Sequence, residues 1–250
     1  MKKLLLALII SVTLGFRAFA ALPDEGMWLP LLIDRLNSEK ISAQHMSFPR
    51  YNTPTGRIVA QAYLGKEGSW GEDKSWFGES DKVDPLLASL YYAADRKAAA
   101  PEMERILNSG THLILDRYYQ SNMAHQGGKI ETWEERVKFF DKLGRIELEG
   151  LGIPEEDRVI FLHMPGKIAA YLMQNRGNKK DGHESNLNHL IHAEKVYHDL
   201  AKRSLTWEEI ECAPDGTIGS LKTPEEIHEE VYEIAMRTIN WKTGIDPTYY

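Results

Sequence analysis

The chain predicts an α/β protein of three layers, a parallel sheet with helices on both faces. Three observations carry that expectation. Apolar runs at 111–116 and 158–164 are continuous rather than alternating, as in strands covered on both sides. Segments of helical length separate such runs, the longest at 85–108 and 131–148. Arg50 and Arg117 stand just beyond the ends of apolar strands, where a sheet of this kind presents its ligands.

The head is read first. Met1-Lys2-Lys3 precedes an apolar stretch at 4–16 and then Ala18-Phe19-Ala20. A basic start, an apolar centre and small residues two apart predict an export signal over 1–20, cleaved after Ala20. The same apolar run also fits the central strand of a parallel sheet. The export signal is the expectation, so the first strand is expected to be replaced. Residues 21–37 then form a foreign head segment, and the α/β body runs over 38–250.

Within the body, Met46-Ser47-Phe48 ends a short strand and 54–64 is a helix. The long helix 85–108 leads to the strand 111–116. Residues 131–148 are helical, with Trp133, Val137, Phe140 and Leu143 near one stripe. A strand at 158–164 and a helix at 165–173 follow. A charged Asn/Gly/Lys segment at 175–182 leads into a helix through Leu200. Residues 207–212 are the last strand and 224–239 the last helix.

Composition narrows the function. The 250 residues suit one large domain, and the formal charge of -7 argues against nucleic acid as a partner. Cys212 is the single cysteine, which excludes a disulfide framework. No second apolar run is long enough to cross a membrane, so the body has no membrane partner.

The motifs suit a phosphorylated ligand. Arg50 lies in Phe48-Pro49-Arg50-Tyr51-Asn52-Thr53-Pro54-Thr55-Gly56, where a guanidinium can fork onto a phosphate. A cis peptide at Pro49 would aim it. Tyr92 and Arg96 lie four apart on one helical face. There a ring can stack on a pyrimidine and an arginine reach its edge. An aromatic stripe packed into the core, with Leu87, Leu90 and Tyr91, is the alternative. Asp116 and Arg117 close a buried strand, as ligand contacts or as a buried ion pair.

Taken in order, these motifs resemble the thymidylate kinase family over about residues 38–240. The matching pieces are Phe-Pro-Arg-Tyr-x-Thr-x-x-Gly from Phe48, Tyr92-x-x-x-Arg96, Asp-Arg-Tyr-x-x-Ser from Asp116, and Gln126-Gly127-Gly128. Arg176 with Asp181-Gly182-His183-Glu184 resembles the family's lid, about 174–184. The resemblance implies a nucleoside monophosphate kinase of P-loop NTPase-like fold, converting ATP and dTMP to ADP and dTDP with Mg2+. It implies a cytoplasmic protein, and a homodimer as its assembly. It places Arg50 and Arg117 on the dTMP phosphate, Tyr92 over thymine and Arg96 on its edge. Ser121, Asn122 and Gln126 line the base or sugar, and His125, where an aromatic is usual, stacks beside the sugar. Asp116 holds Mg2+ through water. Arg176 closes over the ATP phosphates, and it forms the catalytic set with Asp116 and Arg117. Lys179 and Lys180 read as a solvated basic loop.

One part of the family pattern is missing. No Gly-x-x-x-x-Gly-Lys-Ser/Thr occurs anywhere in the chain. That loop works because bare glycine backbone lets amides cradle phosphates at a helix start. Gly65, Gly68 and Gly71 are evenly spaced but wrongly followed. With the first helix near 31–36, the loop position falls on about 19–25 and puts Glu25 in place of the lysine. Losing one preorganised donor typically costs ~2.7–4 kcal/mol of barrier, so loss of the whole cradle predicts loss of catalysis. A dTMP-binding fusion without turnover is the alternative. A further alternative comes from Glu25-Gly26-Met27-Trp28, which resembles the mature start of secreted bacterial dipeptidyl-peptidases of the serine type. A peptidase fragment would then be expected, although no Gly-x-Ser-x-Gly elbow is present.

Overall fold

The computed structural model describes residues 5–10, 28–65, 75–174 and 187–244. Five parallel strands lie in the order β2-β3-β1-β4-β5. They are β1 (Leu5–Ile10), β2 (Ala43–Ser47), β3 (His112–Asp116), β4 (Arg158–His163) and β5 (Trp207–Glu211). The helices are α1 (Trp28–Ser38), α2 (Pro54–Ile58), α3 (Pro85–Asn108), α4 (Tyr119–Gly127), α5 (Trp133–Gly144), α6 (Gly166–Gln174), α7 (Leu187–Arg203) and α8 (Pro224–Thr243).

Strand residues alternate between two cores. Ile114, Ile160, Leu162 and Ile210 pack with α1, α6 and α8 on one face. Leu113, Leu115, Val159 and Phe161 pack with α3, α4, α5 and α7 on the other. This is the three-layer arrangement expected, and the period of two explains why the runs are apolar throughout.

The head departs from expectation. Residues 5–10, expected inside an export signal, form the central strand. β1 pairs with β3 from Leu5↔Leu113 to Leu8↔Asp116, and with β4 from Leu6↔Arg158 to Ile10↔Leu162. Its entry is fixed at Asp157: the Asp157 N–H donates to the Leu5 carbonyl at 2.8 Å, and the Leu5 N–H donates to the Asp157 carboxylate at 2.8 Å. Lys242 of α8 pairs with the same carboxylate. The first strand is therefore present, not replaced. An uncharged apolar run looks alike in a signal core and in a doubly covered strand. Only β3 and β4, far along the chain, distinguish the two.

The boundary expected at residue 38 also falls inside packed structure. Leu29, Leu32 and Leu36 of α1 recur at helical spacing and are at most 1% exposed. They join Ala43, Leu162 and Ile234 in one core. The remaining elements agree with the sequence to within a few residues. Caps explain several starts: Asp84 accepts from the Leu87 N–H ahead of α3, and Thr223 and Glu226 form a capping box at α8. The helices expected at 54–64 and 131–148 each end in a π-helical stretch, Val59–Leu64 and Arg145–Gly150. α4 was unforeseen, because its nine residues are mostly polar and carry no apolar period. The lid beyond Gln174, with Arg176, Lys179 and Lys180, and the expected loop position at 19–25 lie outside the described residues.

If α1 belongs to this core, Leu32→Ala should lower unfolding free energy by about 2–5 kcal/mol. Urea titration followed by circular dichroism measures this. An unchanged midpoint would show α1 to be dispensable.

Candidate functional site

The two arginine-bearing segments meet because β2 and β3 are neighbours. Ser47 sits opposite Asp116, and the Phe48 N–H donates to the Asp116 carbonyl at 3.0 Å, carrying the pairing one residue further. The chains then diverge. The Phe48–Pro49 peptide is cis, as expected. Arg117 has φ +64, a left-handed conformation that a non-glycine residue adopts at a cost of about 1–3 kcal/mol.

Between these ends lies a cavity that encloses about 360 Å³ of space, counting the part open to solvent. It is lined by Phe48, Pro49 and Tyr118 together with Tyr92, Arg96, Arg117, Ser121, Asn122, His125 and Gln126. Seven of the eight residues expected to bind substrate thus converge, from α3, α4 and the end of β3. Its polar atoms fall into two groups. Arg117 Nη2, Ser121 Oγ and Asn122 Oδ1 are shut off from solvent with no hydrogen bond among the described residues. Buried polar groups are normally paired, and leaving one unpaired costs about 1–3 kcal/mol. Three such atoms share one cavity, where a polar molecule would satisfy them.

The second group is already satisfied. Gln126 Nε2 donates to the Tyr63 hydroxyl at 3.0 Å, and Lys129 Nζ donates to the same oxygen at 2.9 Å. Burial lowers the Lys129 pKa to about 8. His125 Nδ1 lies 3.4 Å from His189 Nε2 of α7, with the rings stacked. Burial, aided by His189 and Arg117, pushes the His125 pKa well below the usual range, so its imidazole is neutral near pH 7. Tyr92 meets Tyr63 edge to face at 5.8 Å. Burial opposes the Arg117 charge, yet Asp116 and the phenols of Tyr197, Tyr51 and Tyr92 raise its pKa above the ordinary value.

Two arginines are held by acids that the sequence reading did not name. Arg96 is 2% exposed and forks onto Glu147, which is fully buried in the π-helical stretch after α5. Nε donates to Oε2 at 3.0 Å and Nη2 to Oε1. Glu147 was signalled: it stands four residues after Leu143 on the apolar stripe, where a charge needs a partner. Arg50 is not among the cavity-lining residues, contrary to its expected place beside Arg117. Asp95, fully buried on α3, accepts from the Arg50 N–H at 2.8 Å and faces Arg50 Nε at 3.5 Å. It also accepts from the Thr55 hydroxyl at 2.6 Å.

A loop before β4 props the start of α4. The Tyr118 hydroxyl donates to the Pro154 carbonyl at 2.7 Å, and the Tyr119 hydroxyl to Glu156 Oε1 at 3.2 Å. Glu156 Oε2 is shut off without a partner, and burial pushes the Glu156 pKa up to about 7.

Fold and cavity together define an α/β protein of P-loop NTPase-like architecture with a polar pocket at the carboxyl edge of its sheet. The family model described as "Thymidylate kinase" matches residues 28–214. The chain belongs to the thymidylate kinase family. It is 23% identical to thymidylate kinase of Danio rerio over 210 residues, 84% of this chain and 82% of that one. It is 27% identical to thymidylate kinase of Homo sapiens over 217 residues, 84% and 85% of the two chains. Among solved structures, thymidylate kinase from Candida albicans matches with a TM-score of 0.61 at 18% identity. That match covers 95% of this chain and 93% of the other, and it supports the fold.

Glu147→Gln would leave the Arg96 charge buried and half paired, so stability should fall by about 3–5 kcal/mol. Loss within 1 kcal/mol of zero in a urea titration would contradict the pairing. Glu156 titrates differently. Its folded pKa of about 7 lies above the unfolded value near 4.3, so the folded state binds the extra proton. Stability should then decline as pH rises from about 4 to 7, by on the order of 3 kcal/mol. Glu156→Gln should flatten that decline in thermal melts across this window.

Proposed function

We propose that the cavity is a dTMP site of thymidylate kinase type, in a chain whose phosphoryl transfer from ATP is lost. The observation that carries this reading is the set of three unpaired buried atoms, on Arg117, Ser121 and Asn122, facing one space with Tyr92. Arg117 supplies the phosphate contact, since its charge is held on and its Nη2 needs an acceptor. Tyr92 offers a ring for the pyrimidine. Arg96 presents the base edge with Nη1, the amino group not engaged by Glu147. Ser121 and Asn122 bond the sugar or base, while His125 and Gln126, fixed by their own partners, shape the wall. Arg50 acts from behind Pro49, through Asp95.

Magnesium fits one residue here. Asp116, at the end of β3, provides the hard carboxylate oxygens that Mg2+ takes, directly or through water. When bound, the ion neutralises charge on the phosphates. ATP is the co-substrate of the family reaction. Its phosphates would need the cradle that no Gly-x-x-x-x-Gly-Lys-Ser/Thr supplies here, and residues 11–27, between β1 and α1, contain no lysine. Phosphoryl transfer depends almost wholly on such positioning and charge neutralisation. Arg176 alone does not replace the cradle. The body is proposed to act in the cytoplasm, where both nucleotides reside.

Calorimetric titration with dTMP should show saturable binding, weakened about 10- to 100-fold in Arg117→Ala by loss of a charged hydrogen bond. A coupled assay of ADP production with ATP, Mg2+ and dTMP should stay at background. Absence of dTMP binding would overturn the site, whereas clear turnover would overturn the loss of transfer.

A further inference from the structure

A second group of chemically active side chains lies apart from the dTMP cavity, and none of its members lines that cavity. α7 presents Glu194 and His198, four residues apart and therefore on one side of the helix. Facing them are His163, the last residue of β4, and Glu209 and Glu211, alternate residues of β5. His163 Nε2 lies 2.9 Å from Glu194 Oε1, and its Nδ1 lies 2.6 Å from Glu211 Oε2. His198 Nδ1 lies 2.9 Å from Glu209 Oε1, and the two imidazole rings meet at 4.2 Å. Phe161 forms the floor, with its ring 5.8 Å from His163 and 5.5 Å from His198.

We propose that His163, Glu194 and His198 bind a divalent transition-metal ion, preferentially Zn2+. One ligand atom from each lies within 4.8 Å of the others. Bonds of about 2.0–2.2 Å in a tetrahedral shell space their donor atoms roughly 3.3 Å apart, and the 4.8 Å limit leaves at most about 1.5 Å to close. Small rotations of Glu194 and His198, both half-buried rather than locked, close it.

The surroundings match what a metal site needs beyond its ligands. Imidazoles that bind zinc give their other N–H to a carboxylate, which fixes tautomer and ring orientation. Here the Nδ1 of each imidazole already faces a β5 carboxylate, Glu211 for His163 and Glu209 for His198, and the proposed ion takes the Nε2 of each. Glu194 is oriented likewise, because its Oε2 accepts from the Gly166 N–H at 3.0 Å. Two imidazoles and one carboxylate suit Zn2+ over Mg2+ or Ca2+, which take oxygen shells. Three protein ligands leave the fourth position to water. On binding, the proton between His163 Nε2 and Glu194 is released and the metal takes the nitrogen lone pair.

The full chain would be dialysed against Zn2+ and its metal content measured by atomic emission, with affinity obtained by competition against a chromogenic chelator. One equivalent is expected, and Co2+ substitution should give the intense visible bands of a tetrahedral site. Glu194→Gln and His198→Ala should each weaken binding at least 10-fold. Glu211→Gln, which touches only the outer contact, should weaken it about 10- to 100-fold. Should His198→Ala fail to fold, Glu211→Gln and the wild-type Co2+ spectrum decide. Non-saturable uptake, an octahedral Co2+ spectrum, or variants with wild-type affinity would overturn the proposal.

Discussion

The pairing of β2 with β3 is the constraint on which the rest depends. Ser47 opposite Asp116, extended by the bond from the Phe48 amide to the Asp116 carbonyl, makes two distant segments end at one level. A slip of one residue would reverse which face each side chain meets. Arg117 would then turn away from the helices that complete the cavity. Because the sheet continues through β1, that level is also tied to Asp157 and to α8.

Much of the fold was legible in the chain because long buried strands and long amphipathic helices have periods that no other element shares. The order of strands and helices from 43 to 239 came through for that reason. α4 did not: its polar residues face the cavity and neighbouring helices, so they lack the apolar spacing that marks a helix. The head failed for a different reason. Leu5 to Ile10 have the same composition whether they enter a translocation channel or a sheet, and the partners that decide lie over a hundred residues away.

The lining of the cavity was legible as a list of residues and not as a set of contacts. Tyr92, Arg96, Arg117, Ser121, Asn122, His125 and Gln126 could be named because their spacing matched a known order of motifs. Which of them were already paired could not. Glu147 and Asp95 are fully buried acids whose partners lie 51 and 45 residues away in the chain. Their effect is to separate the arginines by how far protein carboxylates already satisfy them. Arg96 and Arg50 are held by protein carboxylates, while Arg117 keeps a donor unspent. A buried charge needs a counter-charge or a strong hydrogen-bond acceptor, and at Arg117 a phosphate oxygen would serve.

α7 touches both regions at once. Tyr197 meets His125 edge to face at 5.8 Å, while the next residue, His198, meets His163 at the opposite end of the sheet's ligand edge. Consecutive residues point about 100° apart around a helix. A roll of α7 about its long axis would therefore displace both contacts at once. One helix is thus the common footing of both regions.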